Sequence, residues 1–364
     1  MIRKIITIKT TFLLMVALSC SDKADGKNNL EVIIDSIPPS LILPLHATER
    51  SQGAITLSWV TNKLSTASLH WYSADSLMDS LTFNELDSQF TAVFSNLFSG
   101  SEYTVLLSLS NTDEYDTTFT DTFYTLIAHF ALYNGTGAWT EGLLNEKNLL
   151  DDIGYTWSTI NETDLNNESL YPFYKVLWMP GGWSGDYKDV INDFGAENII
   201  EFVNRGNLYI GSCAGGYYAS DSTIWEENEK YDNPLDFFDG KAIGPLDELA
   251  PWPSFTYTDI YINRSFEPLS TLPDSMEMFY YGGGYYEPND QLSENAIVLA
   301  TYAHNGEYMA LLENIENGYY LITGCHPEVL RVSQPNSWPF MEALIDWLME
   351  NIKALVYVLC LDNV

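Results

Sequence analysis

The segment GSCAGGYYAS, residues 211–220, contains the residues of this sequence best suited to covalent chemistry. Cys213 follows the apolar run NLYI, so a strand is predicted to run into a glycine turn and then a helix. That order is typical of a nucleophile elbow, whose neighbouring residues must be small because the attacking residue sits on a strained turn. Gly211, Ala214 and Gly215 meet this requirement. The start of the helix would favour the thiolate, and the N–H of Ala214 would face a developing oxyanion.

A thiolate nucleophile needs a proton partner, and the segment TGCHPE offers His326 at the end of an apolar strand. Glu328, two residues further on, can orient the imidazole ring and stabilise its charged form. Because the carboxyl ends of parallel strands meet at one edge of a sheet, His326 can reach Cys213 despite their separation in sequence. The pattern therefore predicts a Cys-His-Glu triad of Cys213, His326 and Glu328.

Each of these residues also has a purely structural interpretation. Cys213 can be a small core residue on a strand, since free cysteine is often buried. His326 can be a core histidine whose ring nitrogens are hydrogen-bonded within the fold. Glu328 can be a residue that caps a turn. Cys325 is predicted to be structural, because side chains alternate along a strand and it should point away from His326. A kink there would instead allow a redox-sensitive pair with Cys213.

Metal and disulfide chemistry are not indicated. Apart from Cys20 near the N-terminus, the cysteines lack metal-ligand spacing and are too few for a disulfide framework: Cys213, Cys325 and Cys360. The five histidines form no HxH or HxxxH pair: His46, His70, His129, His304 and His326. We expect no metal and no other cofactor.

The chain has 364 residues, too many for one ordinary core, so two domains and an export segment are expected. With 50 acidic and 16 basic residues it carries a formal net charge of −34. Nucleic-acid binding needs Lys and Arg to replace counterions, so we expect no nucleic-acid partner. The acidic balance is typical of a solubilising surface.

The first residues, MIRKIITIKTTFLLMVALSC, have basic residues, an apolar stretch and a small residue before Cys20. This order predicts a secretory signal over residues 1–19 that is too short to span a bilayer. ALSC resembles a bacterial lipobox, which implies lipid attachment at Cys20, a polar tether over residues 20–36 and a membrane partner reached through the lipid anchor. The protein would then lie in the bacterial cell envelope, facing the periplasm or at the cell surface. An ordinary signal peptide with an incidental cysteine is the alternative.

Residues 37–126 contain short strand patterns such as AITLSWVT and EYTVLLSLSN, separated by turn residues. Evenly spaced short strands favour a β-sandwich. Pro38-Pro39, Trp59 and the late segment LFSGSEYTVLLSLSN resemble a fibronectin type III domain, in which Tyr103 would pin a corner. Such a domain would act as a spacer, although contact with carbohydrate or protein is an alternative.

Residues 128–352 alternate strand and helix patterns. Strands are predicted at HFALYN, KVLWMP and NLYIGSC. Helices are predicted at TEGLLNEKNLLDDIG, where Thr140 is a possible cap, at GAENIIEFVNRG and at SWPFMEALIDWLMENI. The alternation predicts an α/β fold with a mostly parallel sheet and helices on both faces. Three further strands, close together in sequence, are predicted at AIVLATYA, YMALLENI and GYYLITGC. The apolar tail, residues 353–364, either extends the last helix or packs against the sheet.

G-x-C-x-G after a strand and a late H-P-E resemble the flavodoxin-like fold of class I glutamine amidotransferases. Five segments in order resemble the family named for the N-terminal domain of biotin-protein ligase: YNGTGA, MPGGWSGDY, GSCAGGYYAS, YYGGGYYEP and TGCHPE. The resemblance implies that the N–H of Gly182 completes an oxyanion hole with Ala214. Residues 216–218 are Gly-Tyr-Tyr where classical glutaminase domains carry His and Gln, which argues against glutamine as substrate. No biotin-ligase catalytic domain follows, so biotin transfer is not expected.

Two of these segments are candidates for the walls of a substrate site. Trp183 and Tyr187 would line one wall, while Gly283 and Gly284 would let backbone N–H groups approach a ligand beside Tyr285 or Tyr286. A flexible aromatic surface loop is the alternative for the glycine-rich segment.

The leading functional prediction is an exported cysteine hydrolase or amidotransferase-like enzyme acting on an amide or related acyl bond of a small molecule or peptide. The alternative is a catalytically inactive surface-binding lipoprotein of the same fold. A third interpretation is a scaffold whose β-sandwich binds glycans.

Overall fold

A computed structural model of the protein describes residues 35–74, 76–226, 229–330 and 337–361, with side chains up to Ile352 in the last helix. The predicted signal segment, Cys20 and almost all of the tether lie outside these residues. The described chain has an antiparallel N-terminal part and a larger α/β part. No helix among the described residues combines the length and apolarity needed to cross a membrane.

The N-terminal part consists of five antiparallel strands: β1 (Leu41–Arg50), β2 (Ala54–Ser73), β3 (Ser76–Ser95), β4 (Glu102–Ser110) and β5 (Asp116–Tyr124). The first half of β2 pairs with β1 and its second half with β4, while β3 follows β2 along most of its length. Inward-facing residues of all five strands form one apolar core. The long strand β2 thus pairs with β1, β3 and β4, and its side chains alternate between the two faces of the sheet.

Aromatic residues dominate the core of the N-terminal part. Trp59 is fully buried and stacks on Phe90 with ring centroids 5.1 Å apart, while Phe83 meets its edge at 5.8 Å. The N–H of Phe98 donates a hydrogen bond to the hydroxyl of buried Tyr103 (2.8 Å). This bond fixes the turn before β4, so the predicted corner role of Tyr103 is confirmed.

The α/β part contains thirteen strands: β6 (Phe130–Tyr133), β7 (Trp157–Ile160), β8 (Val176–Met179), β9 (Leu208–Ser212), β10 (Ser220–Trp225), β11 (Glu229–Asp232), β12 (Phe238–Gly244), β13 (Thr256–Ile262), β14 (Ser275–Tyr280), β15 (Tyr285–Pro288), β16 (Ala296–Tyr302), β17 (Tyr308–Ile315) and β18 (Gly318–Thr323). Its helices are α1 (Thr140–Ile153), α2 (Glu162–Asn167), α3 (Ser184–Val190), α4 (Asp193–Asn204), α5 (Ala214–Ala219) and α6 (Trp338–Leu361), with a short 3₁₀ turn at Glu267–Leu269.

Five neighbouring strands form the parallel centre of the sheet, in the order β7-β6-β8-β9-β18. Strands β6, β8 and β9 are short and entirely buried, as expected for strands covered on both faces. Beyond β18 the sheet continues through the antiparallel strand β17, and most further pairings are antiparallel. The predicted α/β class is confirmed, and the sheet is mixed because the late strands are joined by hairpins rather than by crossover helices.

Helices cover both faces of the sheet, as predicted. One apolar cluster contains residues of α1 and α6, and the other contains residues of α2, α4 and α5. Thr140 is the first residue of α1 rather than its cap: Trp139 occupies the cap position without a side-chain hydrogen bond. The N–H of Trp139 instead donates to the carbonyl oxygen of Gly181 (2.8 Å), which ties the start of α1 to the loop after β8. The backbone of α6 continues into the apolar tail as far as Leu361.

The two parts meet at the amino end of the parallel strands. Arg50 donates through Nη1 to the carbonyl oxygen of Pro172 (2.9 Å), and Ile127 N–H donates to Phe173 O (2.9 Å). Both acceptors precede β8, which begins at Val176. The sandwich therefore contacts the end of the sheet opposite to the carboxyl edge, where ligand sites of such sheets form.

Candidate active site

Cys213 lies on a strained turn at the carboxyl end of β9. Its φ of 48° is in the left-handed region, which costs a non-glycine residue about 1–3 kcal/mol. The N–H of Cys213 donates to the carbonyl oxygen of Thr323 (2.7 Å), so the turn is held against the end of β18. A Cβ atom at Gly211 would press on the backbone of Gly215, and one at Gly215 would overlap the carbonyl oxygen of Met179. The small neighbours are therefore required by backbone packing, as the elbow pattern predicts.

His326 follows β18 at the same edge of the sheet. Its Nδ1 atom lies 2.8 Å from Oε1 of Glu328, and the two side chains are 1% and 0% exposed. The ring packs edge-on against Trp139 (centroids 5.0 Å apart), and its backbone N–H donates to Phe279 O (2.8 Å). Gly181 lies against the ring, since a Cβ atom there would overlap Cε1 of His326. The imidazole is thus held on several sides.

The turn that carries Glu328 is fixed by the start of α6. Trp338 Nε1–H donates to the carbonyl oxygen of Glu328 (2.7 Å), and the hydroxyl of Ser337 donates to Pro327 O (2.7 Å). The second carboxylate oxygen of Glu328, Oε2, is buried and has no hydrogen-bond partner among the described residues. Glu328 is therefore positioned through its backbone, and its Oε1 atom forms a hydrogen bond with His326.

The charge on His326 is controlled by its two neighbours. Burial alone lowers the pKa of His326, but the charges of Glu328 and Cys213, together with the hydrogen bond to Glu328, outweigh burial and raise the pKa to about 10. A charged imidazole is therefore favoured at neutral pH.

Cys213 and His326 line the same cavity. Nε2 of His326 is buried and has no partner with ordinary hydrogen-bond geometry in the described chain, although Cys213 is near enough to affect the pKa of the ring. The thiol instead lies 3.6 Å from the carbonyl oxygen of Tyr281. The structure thus brings Cys213, His326 and Glu328 together, with Nε2 as the ring nitrogen available to a reacting group.

The candidate oxyanion donors come from two turns that meet beside Cys213. Ala214 follows Cys213 directly, and Gly182 lines the cavity with a φ of 143°. The hydrogen bonds that hold the glycine loop are donated by Trp139 N–H to Gly181 O and by Trp183 N–H to Gly137 O, each 2.8 Å long. The N–H of Gly182 takes no part in these two hydrogen bonds, so it stays a candidate oxyanion donor.

The cavity has a volume of about 340 Å³ and is strongly aromatic. Seven of its described lining residues are tryptophans or tyrosines: Trp139, Trp183, Tyr217, Trp225, Tyr231, Trp252 and Tyr281. Asp186 and Glu229 also line it, and none of its described lining residues is Lys or Arg. The site therefore offers ring faces and carboxylates beside Cys213.

Of the two residues predicted for one wall, only Trp183 lines the cavity. Tyr187 is fully buried behind the glycine loop, and its hydroxyl donates to the carbonyl oxygen of Pro180 (3.0 Å). The prediction for Tyr187 was wrong because α3 turns this residue, one helical turn after Trp183, toward the core. Tyr187 supports the loop rather than contacting a ligand.

The glycine-rich loop contributes different residues from those predicted. Tyr281 and Gly282 line the cavity, whereas Gly283, Gly284 and Tyr285 do not. A Cβ atom at Gly283 would overlap the backbone of Gly324, and one at Gly284 would press on the carbonyl oxygen of Ile243, so these glycines permit close backbone packing. Tyr285 begins β15, where it pairs with β12.

Sequence reasoning missed three residues near the site. Trp225 ends β10 and Trp252 precedes β13, and no local spacing relates either one to Cys213. Glu146 lies on the buried face of α1, is fully buried, and has no hydrogen-bond partner for either carboxyl oxygen among the described residues. Burial, followed by the charge of Glu328, raises the pKa of Glu146 well above its ordinary value. Its position between Leu143 and Leu149 on the apolar face was the signal that could have revealed it.

Cys325 belongs to the apolar cluster on the opposite face of the sheet from the cluster that contains Cys213. Both thiols are free, and burial raises the pKa of the Cys325 thiol. The predicted structural position of Cys325, pointing away from the side of His326, is confirmed.

Residues 129–355 match the family described as "Biotin-protein ligase, N terminal". This match covers more than half of the chain, so the protein belongs to that family. A biotin–protein ligase of Schizosaccharomyces pombe is 28% identical over 221 residues, which cover 56% of this chain and 34% of the ligase. The chain therefore spans about a third of the length of that curated relative.

Among solved structures, a chain of PurLQS from Thermotoga maritima is similar with 14% identity and a TM-score of 0.44, covering 60% of this chain and 98% of that one. A human fibronectin type III domain is similar with 15% identity and a TM-score of 0.20, covering 25% of this chain and 88% of that one.

Proposed function

We propose that this protein is an exported cysteine hydrolase or amidotransferase-like enzyme that acts on an amide or related acyl bond. The observation that carries the proposal is the strained turn at Cys213, which opens into a cavity shared with the buried His326–Glu328 pair. Lipid attachment at Cys20 and a location in the cell envelope belong to the same proposal and rest on the N-terminal sequence.

In the first half-reaction, the thiolate of Cys213 attacks the substrate carbonyl carbon. The N–H groups of Gly182 and Ala214 stabilise the oxyanion, and His326 transfers its Nε2 proton to the leaving nitrogen as the carbon–nitrogen bond breaks. An amine and a thioester of Cys213 result. Glu328 holds the imidazole through Nδ1 throughout.

The second half-reaction follows from the charge balance at His326. Acylation removes the negative charge of Cys213, which is one cause of the raised pKa of His326. The imidazole can then accept a proton from water as the water oxygen attacks the thioester carbon. The carboxylic acid leaves, and Cys213 and His326 return to their initial charge states. An amine in place of water would give transfer rather than hydrolysis.

Incubation with an activated ester tests this proposal directly. A burst of released alcohol equal to the protein concentration, with an acyl mass increase on the peptide containing Cys213, is expected. Cys213→Ser should show neither, and His326→Ala should form the adduct slowly. A mass increase spread over other residues, or none, would contradict the proposal.

An inactive binding protein is the second candidate. It is favoured by the position of the thiol of Cys213, which lies against Tyr281 O rather than in a hydrogen bond of ordinary geometry with His326. Stoichiometric ligand binding without a burst or an acyl adduct would support this candidate over the enzyme.

A further inference from the structure

We propose that the cavity beside Cys213 selects an acyl or amide substrate that carries a positively charged nitrogen, such as an alkylammonium group. The inference deepens the proposed function by naming a substrate class, and its acyl step rests on that function. Its binding component is independent of the nucleophile.

The first support is the charge of the cavity wall. Asp186 of α3 and Glu229 of β11 line the cavity, and neither forms a salt bridge or side-chain hydrogen bond within the described chain. The hydroxyls of Ser184 and Tyr231 lie 2.7 Å apart and join these two elements, so the carboxylates belong to one wall. Lys188 lies over the ring of Tyr231 (5.2 Å), and neither Lys188 nor Lys230 of β11 lines the cavity.

The second support is the set of ring faces in the same space. Trp183, Trp225 and Trp252 meet with ring centroids 5.1, 5.5 and 5.6 Å apart, and Trp252 stacks on Tyr281 at 5.0 Å. Tryptophan faces attract cations through the ring quadrupole, most strongly for groups that have lost part of their water shell. Rings and carboxylates together therefore favour a cationic group over a neutral one.

The cavity is poorly suited to the opposite charge. A substrate with a free carboxylate would normally be met by Arg or Lys, and the described lining residues include neither. Such a substrate would also be repelled by Asp186 and Glu229. A neutral ring or sugar could stack on the tryptophans, but it would leave both carboxylates unused.

The proposal also assigns a direction to the substrate. Cys213 and the unpartnered Nε2 of His326 lie at the buried end of the cavity, whereas Glu229 and Trp183 are exposed at its mouth. The scissile carbonyl would lie at Cys213 and the cationic group would lie between the tryptophans and the carboxylates.

Three chloroacetamides with matched tails test the preference: N-(3-ammoniopropyl), N-propyl and N-(2-carboxyethyl) chloroacetamide. Their rates of reaction with Cys213 would be measured by peptide mass in low salt. The ammonium probe is expected to react about tenfold faster than the propyl probe, since cation–π and carboxylate contacts together contribute on this scale. The carboxylate probe should be slowest.

Asp186→Asn with Glu229→Gln should reduce this ratio several-fold, because local carboxylates are removed. A control pair on α1, Glu141→Gln with Asp152→Asn, removes the same net charge from exposed positions outside the cavity and should leave the ratio unchanged. Equal effects of the two pairs would assign the preference to the overall negative charge and overturn the proposal, as would a propyl probe that reacts as fast as the ammonium probe.

Binding to the Cys213→Ser protein separates this inference from the proposed function. N-acetyl-1,3-diaminopropane should quench tryptophan fluorescence at lower concentration than N-acetylpropylamine. If this preference holds while the activated ester gives no burst, the proposed function fails and the cation site stands. If the burst occurs and the two amides bind equally, the function stands and the cation site fails.

Discussion

Replacing Glu146 by Gln should stabilise the protein at neutral pH and not at acidic pH. The side chain is fully buried, both carboxyl oxygens lack partners in the described chain, and burial with the nearby charge of Glu328 raises its pKa well above the ordinary value of 4.5. Between pH 4.5 and the raised pKa, the folded protein holds a proton that the unfolded chain releases. The folded state binds more protons in that window, so stability falls as pH rises.

The size of the effect follows from this linkage. Each pH unit inside the window reduces the free energy of unfolding by about 1.4 kcal/mol. The stability of the Gln variant relative to the original protein should therefore rise by the same amount for each pH unit inside the window. Below pH 4.5 the carboxyl is protonated in both states, and the difference should reflect only the exchange of a carboxylic acid for an amide.

Urea unfolding at pH 5, 6 and 7 measures this difference. Tryptophan fluorescence reports mainly on the α/β part, because all tryptophans except Trp59 and Trp71 lie there. Glu141→Gln is the matched control, since Glu141 is exposed in the first turn of the same helix. A stability difference for Glu146→Gln that is constant from pH 5 to pH 7 would refute the assignment of Glu146 as a buried neutral acid.

Three further predictions concern the site and the N-terminus. Gly181→Ala should slow acylation of Cys213 about 100-fold, because the added Cβ displaces the imidazole of His326. Gly53→Ala in the N-terminal part is the control and should have no effect on the burst, because its Cβ would lie 3.7 Å from the nearest atom, which is ordinary contact. Glu328→Gln should lower the pKa of His326 from about 10, measured by NMR titration of the ring proton, and an unchanged titration would remove Glu328 as its charge partner. Cys20→Ser should abolish incorporation of labelled fatty acid in a bacterial host, while labelling that persists would place the lipid elsewhere.

The elbow, the histidine turn and the parallel centre of the sheet could be predicted because their signals are local. Small residues around Cys213 are demanded by backbone contacts within a few residues, and His326 and Glu328 stand two positions apart. The parallel strands are short apolar runs whose ends must share one edge. These features depend little on distant parts of the chain.

The walls of the cavity could not be predicted in the same way. Trp225 and Trp252 reach Trp183 only through the antiparallel extension of the sheet and the loop before β13, so no spacing in the sequence relates them. Gly283 and Gly284 were assigned to a ligand, but they allow backbone segments to pack closely. A glycine pattern alone does not distinguish these two uses.

The pH dependence of Cys213 alkylation by iodoacetamide tests the central claim most directly. Peptide mass would resolve Cys213 from the buried Cys325, and His326→Ala would be measured in parallel. We expect fast labelling of Cys213 at neutral pH, where His326 is charged, and a marked loss of that reactivity in His326→Ala. Slow labelling with the profile of an ordinary thiol, unchanged by His326→Ala, would contradict a thiolate–imidazolium pair at this site.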